Sequence, residues 1–89
     1  MVDESDRFRK DLAGFEPSLQ ERLGLKLESH IYPVLRSRPH AGPNIRRLQG
    51  VHPPVWRYRV GDYRIFYMID FSNRTVSMIG IENRRDAYR

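Results

Sequence analysis

Three arginines stand first among the side chains able to do chemistry. Arg57, Arg59 and Arg64 fall within WRYRVGDYRIFY, residues 56–67. A guanidinium is planar, permanently charged and shaped to fork onto phosphate oxygens. Three of them on one spot would hold a phosphate and stabilise charge developing on it. Phe66, in the same stretch, supplies a flat ring on which a nucleobase could stack. The chemistry expected is recognition of a nucleic-acid backbone or electrostatic catalysis on it. The plainer alternative is the solvated face of a half-buried hairpin in an arginine-rich chain.

Whether the three converge depends on the element that carries them. Trp56, Tyr58 and Val60 alternate with Arg57 and Arg59; beyond Gly61-Asp62, Tyr63, Ile65 and Tyr67 alternate with Arg64 and Phe66. Period-two alternation on both sides of a Gly-Asp pair predicts a β-hairpin. With that pair as the loop, Val60 faces Tyr63, Arg59 faces Arg64, Tyr58 faces Ile65 and Arg57 faces Phe66. Trp56, Tyr58, Val60, Tyr63, Ile65 and Tyr67 then share the core side, while Arg57, Arg59, Arg64 and Phe66 share the other. Like charges directly opposite in a sheet cost up to about 1 kcal/mol, so stability alone would not choose that second face.

The remaining chain supplies the support. Ser5 or Asp6 can cap a helix running to about Ala13, with Phe8, Leu12 and Phe15 inward and Gly14 ending it. Pro17 suits the first position of a second helix, in which Leu19, Leu23, Leu27, Ile31 and Leu35 recur every four residues. Pro33 should kink or shorten that helix. Residues 36–44 read as a Pro/Gly loop, 45–48 as a short strand, 70–74 as a turn and 75–81 as a further strand. Any strand before the first helix would be short. The predicted class is α+β: one domain over residues 1–89, with an N-terminal helical hairpin packed on a three- to four-stranded antiparallel sheet.

Composition narrows the function. Cysteine is absent, and His30, His40 and His52 are scattered without ligand spacing, so neither a metal nor a cofactor is expected. No apolar run approaches a membrane span and the N-terminus is charged, which predicts a cytoplasmic protein with no membrane partner. Residues 1–44 carry seven basic and seven acidic side chains; residues 45–89 carry nine arginines against four acids and hold the whole net charge of +5. That imbalance points to a polyanionic partner, either nucleic acid or an acidic protein segment.

The motifs R-L-Q-G (47–50), W-R-Y-R-V-G-D-Y-R-I-F-Y (56–67) and I-E-N-R-R-D-A-Y-R (81–89) resemble the RelE/ParE superfamily of toxins from toxin–antitoxin modules. The archaeal-like RelE branch is the nearest in pattern, and the order of two helices before an antiparallel sheet agrees with it. The resemblance implies a RelE-like, microbial-RNase-like fold and a ribosome-dependent, metal-independent messenger-RNA endonuclease acting in the A site. There the ribose 2′-hydroxyl attacks the adjacent phosphate. By position, Arg57 and Arg59 correspond to the family's paired basic residues, Arg64 to the clamp on the scissile phosphate, Arg84 to a C-terminal arginine and Tyr88 to an aromatic stacked on the messenger base. The implied partners are the ribosome, messenger RNA and a cognate antitoxin with an acidic, disordered segment that folds on this surface.

The resemblance leaves proton transfer unassigned. Arginine keeps its proton too firmly to act as an acid or base near neutrality. Glu82, Asp86, Tyr88 and the loop residue His52 are the candidates. Tyr63 and Tyr67 read as core aromatics, and Arg46 and Arg47 as backbone or antitoxin contacts. Two other functions stay open: a ParE-like inhibitor of DNA gyrase, and a catalytically weak module that only binds antitoxin.

Overall fold

A computed structural model describes residues 1–83. In chain order the elements are β1 (Val2–Glu4), α1 (Asp6–Ala13), α2 (Pro17–Lys26), a π-helical turn (Leu27–Ile31), α3 (Tyr32–Ser37), β2 (Ile45–Arg47), β3 (Trp56–Val60), β4 (Tyr63–Asp70) and β5 (Thr75–Asn83). They build a five-stranded sheet in the order β1-β5-β4-β3-β2. The class agrees with expectation, but the sheet differs in two respects. It has five strands rather than three or four, and it is mixed, because β1 runs parallel to β5 with Val2 opposite Val76.

The hairpin forms in the register its turn dictates. Val60 pairs with Tyr63, Arg59 with Arg64, Tyr58 with Ile65 and Arg57 with Phe66. Gly61 adopts a φ of 57°, the left-handed conformation a two-residue hairpin loop demands. On the inner face Tyr58, Ile65 and Tyr67 are buried in one cluster with Phe8, Leu27, Ile31 and Leu35 from the helices. The Tyr67 hydroxyl donates to the Pro39 carbonyl at 2.6 Å, satisfying its polar end inside the core. Burial, then the neighbouring Tyr58, raise its pKa far above the ordinary tyrosine value.

The helices start and stop for local reasons. Ser5 caps α1, its hydroxyl accepting from the Phe8 amide at 3.1 Å. Pro17 opens α2, where its missing N–H costs nothing. The stripe then runs on through Leu23, Leu27, Ile31 and Leu35, all buried. Pro33 does not end it. Instead the chain widens into a π turn one step earlier, with the Tyr32 amide bonded to the Leu27 carbonyl, and α3 continues to Ser37. A π turn re-phases the carbonyls that a proline would otherwise collide with.

One edge of the sheet is completed by a helix. β1 reaches only as far as the Ser5 amide, which donates to the Met78 carbonyl at 3.0 Å. Beyond that point β5 has lost its strand neighbour, and α1 lies alongside it. Asp11 meets the need there: its Oδ2 accepts from the Ile81 amide at 2.9 Å. A bulge sits at the same level, with Phe66 opposite Gly80 but Tyr67 opposite Met78. The extra residue, Ile79, returns the rest of β5 to the correct face. No helix among the described residues is long and apolar enough to cross a membrane.

Candidate functional site

The outer face of the sheet is organised in rows by strand pairing. Arg46 of β2 faces Arg57 of β3, Arg57 faces Phe66 of β4, and Phe66 faces Gly80 of β5. The next row runs from Arg59 to Arg64 to Glu82. Residues directly opposite in a ladder project to the same side. Arg46, Arg57, Arg59 and Arg64 are therefore gathered on one patch, with one carboxylate at its border.

These arginines are not equivalent. Arg59 is exposed, whereas Arg57 and Arg64 are half-buried, and their Nε atoms are shielded from solvent by the sheet surface. Arg64 is ion-paired through Nη2 to Oε1 of Glu82, with the two side chains 24% and 42% exposed. This pair ties the Arg64 guanidinium to the neighbouring strand of its row, with part of the side chain still exposed. Such positioning suits a group that must meet a phosphate in a fixed orientation. It also places a proton acceptor beside three cations that cannot serve as one.

Of the sequence-predicted site residues, the structure brings Arg57, Arg59 and Arg64 onto one face. Arg84 and Tyr88 lie outside the described residues, as does Asp86. His52 is exposed in the loop that precedes β3. Tyr63 packs inward, its ring edge-on to Phe15 at 5.4 Å, and Tyr67 is fully buried, both as core aromatics. Arg46 joins the patch by pairing with Arg57, which the sequence alone did not reveal. Its register is set across a long Pro-containing loop, so no turn signal announces it. Among the described residues no three His, Asp or Glu side chains gather closely enough to hold a metal ion.

A helical layer on one face of a mixed sheet is the fold found again among RelE/ParE toxins. The chain belongs to that class through a specific family: the model described as the ParE toxin of type II toxin–antitoxin systems matches residues 2–88. It is thus a toxin of a type II toxin–antitoxin system. Among solved structures, the archaeal RelE–RelB complex from Pyrococcus horikoshii superposes with a TM-score of 0.69 at 21% identity, covering 93% of this chain and 92% of the other. The RelB–RelE complex from Methanococcus jannaschii gives 0.69 at 24% identity, over 98% and 95%. The intact RelBE complex from Escherichia coli gives 0.66 at 22% identity, over 93% and 94%. At these identities the likeness is one of fold. No curated protein matches the sequence.

Proposed function

We propose that this toxin is a ribosome-dependent messenger-RNA endoribonuclease that arrests translation in the cytoplasm. The observation that supports this most is the outer-face patch, where Arg57, Arg59 and Arg64 occupy two adjacent ladder rows with Glu82 opposite Arg64. In the reaction the ribose 2′-oxygen forms a bond to the adjacent phosphorus and the bond from phosphorus to the 5′-oxygen breaks. A 2′,3′-cyclic phosphate and a 5′-hydroxyl result. Charge builds on the non-bridging oxygens, and Arg57 and Arg64 are oriented to stabilise it, with Arg59 holding a flanking phosphate. Glu82 takes the 2′-hydroxyl proton, and the departing 5′-oxygen is protonated from solvent. Arg84 and Tyr88 would complete the set, as a second phosphate contact and a stacking surface.

The same reading gives the toxin three partners: the ribosome, messenger RNA and a cognate antitoxin whose acidic segment covers the basic patch. RelE is bound to RelB in the Pyrococcus horikoshii and Methanococcus jannaschii structures.

The test is induced expression of wild type beside Arg64→Ala, with mapping of messenger-RNA 5′ ends on translated and untranslated transcripts. Codon-phased cuts on translated messages alone are expected, reduced on the order of 10²–10³-fold in the variant, as for loss of one electrostatic contact to a transition state. Growth arrest without cuts would instead direct the assay to DNA gyrase supercoiling, the ParE-like activity. Normal growth without cuts would leave a module that only binds antitoxin.

A further inference from the structure

Beside the arginine rows the outer face opens into a groove of about 320 Å³. Leu48, Val55, Phe66 and Ile79 make its floor apolar, and Gly80 adds no side chain to it. Arg7 and Asp11 of α1 form a polar wall. Phe66 stands in the same row as Arg57, one row from Arg59 and Arg64, and Glu82, which ends that next row, also lines the groove. Successive rows are two residues apart along a strand, about 7 Å. A nucleotide whose phosphate rests on the arginines therefore has its base at the groove.

The wall is built with some care. Arg7 Nε donates to Asp11 Oδ1 at 3.1 Å, while Asp11 Oδ2 is held by the Ile81 amide at 2.9 Å. The carboxylate is fixed to the sheet and in turn fixes the arginine through its Nε. The guanidinium keeps its terminal nitrogens as a donor fork at the rim, on a side chain that is 78% exposed. A Cβ at position 80 would sit 3.2 Å from Asp11 Oδ2, so a larger residue there would displace the carboxylate by a few tenths of an ångström.

We propose that the groove is a guanine-binding subsite, with the purine lying on Phe66 and the aliphatic floor and Arg7 donating to its O6 and N7. The proposal rests on the reading that the substrate is RNA. The apolar floor takes the ring face, which all bases share. The fork selects among them: guanine offers two adjacent acceptors, whereas adenine presents an amino donor in place of O6. Arg7 is thus a specificity-determining residue, distinct from the phosphate clamp.

The experiment is a calorimetric titration of the full chain with GMP and with AMP, free of ribosomes. Wild type is expected to bind GMP roughly tenfold more tightly, the scale of one bidentate arginine–guanine contact. Arg7→Ala should abolish the difference. Arg7→Lys should abolish it too, because lysine keeps the charge without the fork. Arg64→Ala should weaken both nucleotides alike. Equal binding of GMP and AMP by wild type, binding of neither, or a preference that survives in Arg7→Ala would overturn the subsite. Cleavage is read separately: a protein that prefers GMP but cuts no message keeps the subsite and loses the nuclease.

Discussion

The two faces of β4 obey different rules. Its inner residues, Ile65 and Tyr67, are wholly buried and meet the helices, Ile65 through apolar contact alone and Tyr67 with one hydroxyl bond to a loop carbonyl. Its outer residues, Arg64 and Phe66, are half-buried, Phe66 in the groove walled by Arg7 and Asp11, and Arg64 beside a like charge on Arg59. Alternation of side chains along a strand makes both possible within eight residues. One face lowers the free energy of the fold, and the other tolerates repulsion that folding would discard. A surface that accepts such a cost is where a ligand is expected to compensate for it.

The contrast can be broken by exchanging the consequences of mutation. Ile65→Ala should act on the fold, losing about 2–5 kcal/mol in a denaturant titration, as for a fully buried aliphatic side chain. Arg64→Ala, its outer neighbour, should leave that titration within about 1 kcal/mol of wild type despite losing the Glu82 pair. A large loss there would mean the outer face is structural after all. Asp11→Ala should fall between, at about 1–3 kcal/mol, because it leaves the Ile81 amide without an acceptor. Hydrogen exchange at Ile81 would report the opening directly.

The smallest effect belongs to a turn on neither face. Asp70 is held below the ordinary aspartate value of 3.8 by side-chain and backbone hydrogen bonds from Asn73. A depressed folded pKa gives stability that is present above the unfolded value and fades as pH falls through the folded one. The melting difference between wild type and Asp70→Ala should therefore be slight at neutral pH and fade progressively as pH falls below 3.8. A difference that grew on acidification would contradict the assignment.

What the sequence disclosed follows the same division. The hairpin was legible residue by residue, because a two-residue loop fixes register and register fixes faces. The helix stripe was equally plain, and the cap of α1 was narrowed to Ser5 or Asp6. β1 was not, since three residues are too few to show a period and their partner lies at the far end of the sequence. Nor was the π turn, for Pro33 announces a disturbance without saying how the backbone absorbs it. In the site, the shared face of Arg57, Arg59 and Arg64 came from alternation, but the pairings of Arg46 with Arg57 and of Glu82 with Arg64 required ladder registers that no local signal carries. The bulge at Phe66 and Tyr67 also shifts the parity of β5, which defeats simple counting back from Glu82.

The parallel pairing of β1 with β5 bears on the order in which the sheet is completed. The N-terminal amine bonds to the Arg74 carbonyl at 2.9 Å, a contact spanning 73 positions. β1 must wait for β5 before it gains any strand neighbour, and β4, already paired with β3, must wait for β5 to gain its second. Glu82, the partner that orients Arg64, arrives in that same late strand. Contacts of such sequence separation form slowly and late. The arginines of β3 and β4 are therefore made before the strand that brings Glu82 to Arg64, and the outer-face patch is among the last parts of the sheet to be completed.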